Sequence, residues 1–271
     1  FRGRLSNAEI GRSERAHILH MLGYLLLYAE RVEEAMENTQ AAHDWALKHR
    51  LSAEAGSFRT ELAVQQAFAQ ALKLRSSGDI PGSNSKFEEA DRLAMAINSL
   101  PYQLKISGTW SLNYVSSSDG QAKYLALSLR TLELAKLLNY KLEASRAAKR
   151  VGAFYAMKSD YSRALSYFLR ALNDLEVERD DGDLIACLNN IAVIYMSLGD
   201  YVKSKDYLLD AASRVPAGST GAFETSILVN LGTLFGVMGK RLQLVDFQKK
   251  ALDCFASYLN LKGVRDLIST K

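Results

Sequence analysis

The sequence predicts an all-α protein built as a solenoid of stacked helix pairs. A two-helix pattern recurs about every 40 residues between positions 145 and 251, and a fixed period in this range is typical of helical repeats. Only 3 prolines occur in 271 residues, which suits long helices joined by short turns. Alanine and leucine, both strong helix formers, are abundant. Because stacked repeats extend in one dimension, this length needs no division into separate globular domains.

Hydrophobic spacing predicts the helices of the first 140 residues. Residues 1–11 show no periodicity and are interpreted as a chain end or linker. Residues 76–85 read SSGDIPGSNS, and this content of Gly, Ser, Pro and Asn indicates an inserted loop. Pro101 is expected to lie in the first turn of the helix that it opens. The predicted helices are 16–29, 32–49, 52–75, 86–98, 102–117 and 121–138.

The second half of the chain contains the clearest helix pairs. Asp160 and Asp200 precede second helices, where their side chains can accept hydrogen bonds from free backbone N–H groups. Lys240 replaces this aspartate in the last pair, so its turn should be less well capped. We expect the solenoid to cover 12–262 and a further helix to begin in 263–271. The predicted pairs are 141–158 with 161–178, 183–198 with 201–215, and 222–238 with 242–258.

Small and large residues recur at fixed positions in these pairs. Gly152, Gly232 and Ala171 are small enough to let two helices approach closely. Tyr155 and Phe168 would fill the space opposite such residues. The pattern resembles the tetratricopeptide repeat (TPR) family, which places a small residue near large ones in each helix. The clearest unit supplies Ile191, Ala192, Tyr195, Tyr201, Ser204, Leu208, Ala211 and Pro216.

The resemblance implies an all-α, right-handed superhelical solenoid of about six TPR-like helix pairs. The three pairs in 141–258 match the family strongly and the first pair matches well. Two pairs between them are inferred from spacing alone. The 40-residue step exceeds the family's usual 34. It resembles the subgroup found in bacterial signalling and regulatory proteins.

Composition and charge exclude several classes of function. The formal net charge is +4, but lysine and arginine are scattered among acids instead of forming the dense patch typical of nucleic-acid binding. No direct nucleic-acid partner is therefore expected. No apolar run reaches the ~18 residues of a membrane span. Cys187 and Cys254 lie in apolar helical stretches and are expected to act as small buried residues.

The sequence contains no catalytic or metal-binding motif that we recognise. His17 and His20 lie three residues apart on one predicted helix, but no third ligand has a matching spacing. Asp180, Asp181 and Asp183 lack the ligand pattern of a calcium loop and are interpreted as a polar helix start. We therefore expect no enzyme activity, no metal and no cofactor.

The resemblance places the first helix of each pair along a concave groove. An asparagine amide can donate to a peptide C=O and accept from its N–H. Asn190 and Asn230 occupy the same repeat position and would hold an extended peptide in this way. Arg146, Lys149 and Arg150 would attract a carboxylate. The alternative is that the asparagines cap or bridge neighbouring helices. The candidate groove residues are Arg146, Lys149, Arg150, Asn189, Asn190, Val193, Asn230 and Thr233.

The TPR family's dicarboxylate clamp, which grips the acidic C-terminus of a chaperone, is only partly matched. Lys149 and Asn190 fit the clamp, whereas Ala153, Ser226 and Asn230 do not, so that ligand is not expected. The first helix pair would form an aromatic and apolar end of the groove. Packing against an N-terminal segment is favoured there over binding a hydrophobic anchor. The residues of this end are His17, His20, Tyr24 and Tyr28.

We therefore expect a TPR module that binds a protein or peptide in its groove, as the sensory or regulatory region of a larger bacterial signalling protein. The alternatives are a peptide-pheromone-type regulator and a structural scaffold that assembles through its convex face. The chain starts at Phe1 and stops within a helical pattern, so we expect a piece of a longer protein. The cytoplasm is favoured as its location, with the periplasm as the alternative, and a homodimer is left open.

Overall fold

The computed structural model describes residues 11–28, 31–178, 181–215 and 222–242. This part of the chain is all-α and contains eleven α-helices and a short 3₁₀ helix, so the predicted fold class is confirmed. The α-helices are α1 Arg12–Tyr28, α2 Val32–Lys48, α3 Ser52–Ser76, α4 Ile80–Ala96, α5 Leu100–Ser111, α6 Gln121–Leu137, α7 Lys141–Met157, α8 Tyr161–Glu178, α9 Asp181–Ser197, α10 Tyr201–Ser213 and α11 Ala222–Leu242.

Consecutive helices pack as antiparallel pairs. The pairs are α1 with α2, α3 with α4, α5 with α6, α7 with α8, and α9 with α10, as predicted. The chain divides into two compact units, Phe1–Asn139 and Tyr140–Lys271. Unit 1 holds α1 to α6 and unit 2 holds α7 to α11. The predictions for residues 1–10, for a helix at 243–258 and for 263–271 lie outside the described residues.

The loop predicted at 76–85 is wrong, because α4 already begins at Ile80. The Asp79 side chain caps this helix by accepting a hydrogen bond from the Gly82 N–H at 2.9 Å. Pro81 lies in the first turn, where its missing N–H costs no helical hydrogen bond. Ser83 is buried, and its hydroxyl donates to the Ala71 carbonyl at 2.9 Å. The extra length of this repeat lies instead in α3, which has 25 residues against 17 in α1.

Two other helix ends differ from the prediction. The chain was expected to turn after Met238, but α11 continues to Leu242. A single glycine inside a helix costs only about 1 kcal/mol, so Gly239 does not force an end there. In unit 1, α5 stops at Ser111 and a 3₁₀ helix follows at Leu112–Tyr114. The long helix predicted for 102–117 is therefore divided.

The predicted helix caps at Asp160 and Asp200 are confirmed. Asp160 Oδ1 accepts from the Arg163 N–H at 3.1 Å, and Asp200 Oδ1 accepts from the Lys203 N–H at 3.2 Å. Each cap is followed by the same side-chain arrangement, with the cation of Arg163 or Lys203 over the ring of a tyrosine on the preceding helix. The two turns are therefore copies of one structure, 40 residues apart.

These two turns differ at the residue that ends the first helix. Ser159 has φ 59° and Gly199 has φ 81°, the left-handed region in which a side chain is strained. In each turn the N–H of the next residue donates to a carbonyl five residues back at 2.9 Å, from Asp160 to Tyr155 and from Asp200 to Tyr195. The left-handed residue thus closes the helix in a Schellman-like turn.

Exchanging the residue types of these matched turns should change stability in opposite directions. We expect Ser159→Gly to raise the free energy of unfolding by roughly 0.5–1 kcal/mol, because glycine adopts this backbone conformation without side-chain strain. Gly199→Ser should lower it by a similar amount. Urea unfolding followed by circular dichroism measures both. A loss of stability in Ser159→Gly would contradict this account of the turn.

The core of unit 2 contains the close helix contact predicted from its glycines. A Cβ atom added to Gly152 would lie 3.2 Å from three ring atoms of Phe168, closer than side chains normally approach. Phe168 is 1% exposed, so the ring is packed directly on the α7 backbone. The predicted pairing of a small residue on α7 with a large one on α8 is therefore observed.

Unit 1 has a larger aromatic core with a polar network inside it. Phe68, Phe87 and Trp110 pack in sequence, with ring centroids 5.8 and 6.3 Å apart. Gln65 is fully buried, and its amide nitrogen donates to Tyr102 Oη at 2.8 Å and to a threonine hydroxyl of α2 at 2.9 Å. This network connects α2, α3 and α5 and fixes their register. The sequence alone did not indicate it.

Candidate functional site

The predicted groove residues lie on three helices of unit 2: α7 and α9, which are the first helices of two consecutive pairs, and α11, which follows them. α7 contacts α9, and α9 contacts α11. Arg150, Asn190 and Asn230 are spaced 40 residues apart, and all three are half-buried. They form a row with one polar side chain from each helix.

One acidic residue, Asp183, forms ion pairs with two of the predicted basic groove residues. Asp183 lies in the first turn of α9. Its carboxylate accepts from Arg146 Nε at 2.7 Å and forms an ion pair with Lys149. Arg146 also contacts Glu143 on its own helix at 3.2 Å. The ion pairs therefore join α7 to α9, and both Arg146 and Lys149 already have carboxylate partners.

Sequence reasoning assigned Asp183 only to a polar helix start and missed this role. Burial tends to raise the pKa of the Asp183 carboxyl. The hydrogen bonds and charges of Lys149 and then Arg146 act in the opposite direction and prevail, so its pKa lies below the usual value of 3.8. The carboxylate is therefore ionised at neutral pH and balances the local positive charge.

The predicted asparagines divide into two kinds. Asn230 Nδ2 donates to Asn189 Oδ1 at 2.8 Å, and Asn189 Nδ2 donates to Ser226 Oγ at 3.3 Å. These bonds bridge α9 and α11. Asn190 differs, because its half-buried side chain makes no hydrogen bond within the described part of the chain. Its amide donors and carbonyl acceptor are available to a ligand.

The two remaining groove candidates, Val193 and Thr233, offer a ligand fewer polar atoms than Asn190 does. Val193 is half-buried and Thr233 is exposed. The Thr233 hydroxyl donates to the Val229 carbonyl of its own helix at 2.8 Å. Val193 therefore supplies an apolar surface one turn from Asn190, and the Thr233 hydroxyl proton is already engaged.

The predicted N-terminal end of the groove lies in unit 1. His20 Nδ1 is 2.7 Å from a carboxylate oxygen of Glu61 on α3, and its ring is 5.3 Å from that of Phe58. Tyr24 packs edge-on against Tyr102 of α5, with centroids 5.7 Å apart. His17 is exposed. The side chain of Tyr28 lies outside the described residues. His20 and Tyr24 thus contact neighbouring helices of the unit.

Other chemistry is limited in the part of the chain that the structure describes. No group of three His, Cys, Asp or Glu side chains there has the geometry of a metal site. Cys187 is fully buried, and burial raises the pKa of its thiol to about 12, which suits an inert packing residue. Cys254 lies outside the described residues. Within those ranges, no helix is both long and apolar enough to cross a membrane.

No protein-family model matches the sequence, and no curated protein matches it significantly. Solved structures do match the fold. The apo form of RapI superposes with a TM-score of 0.67 at 14% identity, covering 91% of this chain and 76% of RapI. A Rap protein complexed with competence and sporulation factor gives 0.50 at 14% identity, covering 97% and 78%.

A third match is a signal-transduction ATPase with numerous domains from Pyrococcus horikoshii, which carries a tetratricopeptide repeat sensor. It gives a TM-score of 0.56 at 15% identity, covering 92% of this chain and 39% of that protein. At such low identities these similarities show the fold alone. The chain has the TPR-like helical-repeat fold that is typical of protein-binding modules.

Proposed function

We propose that this chain is a protein-interaction module that binds an extended segment of another protein or peptide along α7, α9 and α11. The observation that carries this proposal is the row of half-buried polar side chains at Arg150, Asn190 and Asn230, one each from α7, α9 and α11. Asn190 offers both a donor and an acceptor, the pair that an extended peptide backbone presents in return. Val193 provides an apolar contact beside it.

The charge near this row favours a particular kind of segment. Arg146, Lys149 and Arg150 give the α7 end of the row three cationic side chains, and Glu143 and Asp183 contact the first two of them. A bound segment with an acidic side chain or a free carboxyl group at that end would be attracted to it, and binding should weaken as salt is added.

A regulatory role in a larger signalling protein is the context that we propose for this module. It is supported by the similarity to a repeat sensor that forms part of a multidomain signal-transduction ATPase. The second candidate is a peptide-pheromone-type regulator, which is supported by the similarity to a Rap protein in complex with competence and sporulation factor. Both roles use the same surface, so one experiment tests the surface for both.

Replacing Asn190 should weaken the binding of a peptide without disturbing the fold. The full chain is first used to select a binding peptide from a random library displayed on phage, and its affinity is then measured by fluorescence anisotropy. We expect Asn190→Ala to weaken the selected peptide about tenfold or more, since an unmatched peptide hydrogen bond in a partly buried site costs about 1–3 kcal/mol. Asn230 is a poorer choice, because it also bridges two helices.

Asn173→Ala is the matched control, since Asn173 is exposed on α8, a second helix. It removes the same amide from the same unit and should leave the affinity unchanged. Failure to enrich any peptide would contradict the proposal, and so would equal affinities for wild type and Asn190→Ala. Circular dichroism confirms that each variant has kept its helical content.

Exposed apolar residues favour the scaffold alternative. Leu169 and Val177 on α8 are 40% and 66% exposed, and Val202 and Leu209 on α10 are 63% and 48% exposed. Second helices that carry such residues could pack against another protein. Binding that is lost in Leu169→Asp or Leu209→Asp but kept in Asn190→Ala would assign the function to this surface.

A further inference from the structure

The ion pairs between α7 and α9 border the proposed binding row of Arg150, Asn190 and Asn230. Asp183 and Asn190 are seven positions apart on α9. Seven residues make about two helical turns, so both side chains leave the same side of the helix, about 10 Å apart. Lys149, which pairs with Asp183, immediately precedes Arg150 in the sequence. A segment bound along the row therefore has this cluster beside its α7 end.

The charged groups of the cluster are accessible from solvent. The side chain of Arg146 is 37% exposed, and those of Lys149 and Asp183 are 21% and 20% exposed. A carboxylate of a bound segment can therefore approach the same two cations. In the structure, the acid that both of these cations contact is one that the chain itself supplies from α9.

We propose that Asp183 is an internal competitor that limits how tightly the groove holds acidic segments, an inference that rests on the proposed function. The Asp183 carboxylate already accepts from Arg146 Nε and from the Lys149 ammonium. Because two carboxylates that share one site repel each other, an acid of the ligand must displace Asp183 or leave it only partly paired. The cations attract an acidic segment, and Asp183 weakens its final hold.

The competitor carries its charge at neutral pH. Burial tends to raise the pKa of the Asp183 carboxyl, but its hydrogen bonds and charge interactions with Lys149 and Arg146 prevail and lower it below 3.8. A change of the residue is therefore needed to remove this charge at neutral pH. If the ion pairs only hold α7 against α9, such a change would affect neutral and acidic ligands alike. A competitor affects the acidic ones alone.

Peptides that differ in a single charge test the proposal. The peptide selected for the Asn190 experiment is synthesised with glutamate, and in parallel with glutamine, at each position in turn. Its affinity for the full chain is measured by fluorescence anisotropy. We expect Asp183→Asn to raise the ratio of glutamate to glutamine affinity about tenfold at one position or at two neighbouring positions, since hydrogen bonds to charged groups contribute about this much. Asp183→Ser serves if Asp183→Asn does not fold.

Asp181→Asn is the matched control, because Asp181 is an exposed acid in the same helical turn. It removes an equal charge two positions away and should leave the affinity ratio close to that of wild type. A ratio that Asp183→Asn leaves unchanged at every position overturns the proposal, as does an equal rise in Asp181→Asn. Equal weakening of glutamate and glutamine peptides in Asp183→Asn also overturns it and assigns Asp183 a structural role alone. If no peptide binds wild type, the proposed function itself fails, and the basis of this inference is lost with it.

Discussion

Replacing Phe168 with alanine is expected to lower the free energy of unfolding by about 3–5 kcal/mol, the usual cost of removing a buried aromatic ring. The ring is 1% exposed and lies against the α7 backbone at Gly152. Neighbouring helices can close the resulting cavity only in part, because α7 and α8 already approach closely. Urea unfolding followed by circular dichroism and differential scanning calorimetry measures the loss.

Leu169→Ala is the control for this prediction, because Leu169 is the next residue on α8 but is 40% exposed. Its effect should stay within about 0.5 kcal/mol, as for other surface substitutions. Gly152→Ala should destabilise wild type but be tolerated in the Phe168→Ala background, where the ring no longer occupies the space. Equal losses in Phe168→Ala and Leu169→Ala would contradict the packing described here.

Helix positions in unit 2 followed from the sequence because local signals and the repeat agree there. Gly199 adopts the left-handed backbone that ends α9, and Asp200 caps α10. The same signals recur one period earlier, although serine takes the place of glycine at position 159. Each turn therefore supports the assignment of the other, and the observed ends of α7 to α10 differ from the predicted ones by at most two residues.

Helix ends were predicted wrongly where the same residue type occurs both in loops and in helices. Proline and glycine at positions 81 and 82 suggested a loop, yet proline is also favoured in the first turn of a helix. In the structure the Asp79 side chain caps a helix at this point. In the sequence, the only sign of this helix start is that an aspartate precedes the proline. The turn expected after Met238 was wrong as well. Lys240 stands where the two preceding turns have a capping aspartate, and α11 continues to Leu242.

The candidate site was harder to predict because its contacts join helices that are distant in sequence. The repeat register correctly placed the candidate residues on three helices, α7, α9 and α11, of which α7 contacts α9 and α9 contacts α11. It could not show that Asn230 donates to Asn189, 41 positions away, rather than to a ligand. It also gave no reason to pair Lys149 with Asp183, 34 positions away. Pairings of this kind depend on how neighbouring helices are rotated, which hydrophobic periodicity does not determine.

The Asp183 carboxylate should make a large, pH-dependent contribution to the stability of unit 2. Asp183→Asn keeps the shape of the side chain but removes the charge that holds Arg146 and Lys149. We expect the free energy of unfolding at pH 7 to fall by about 1.5–3 kcal/mol, the usual range for hydrogen bonds to charged groups. The carboxylate is 20% exposed, so solvent screens it only in part. Chemical unfolding at a series of pH values measures the effect.

The sign of the pH dependence follows from the pKa of Asp183, which folding lowers below 3.8. Near that pH the unfolded chain binds more protons than the folded chain, so the stabilisation is complete above it and is lost as the pH falls through the folded-state value. The difference between wild type and Asp183→Asn should therefore be largest at neutral pH and shrink below about pH 4. Asp181→Asn, at an exposed position in the same helical turn, removes an equal charge from the helix start. If Asp181→Asn lowers the free energy of unfolding as much as Asp183→Asn does, the effect comes from the interaction of a negative charge with the helix dipole and not from the ion pairs between α7 and α9.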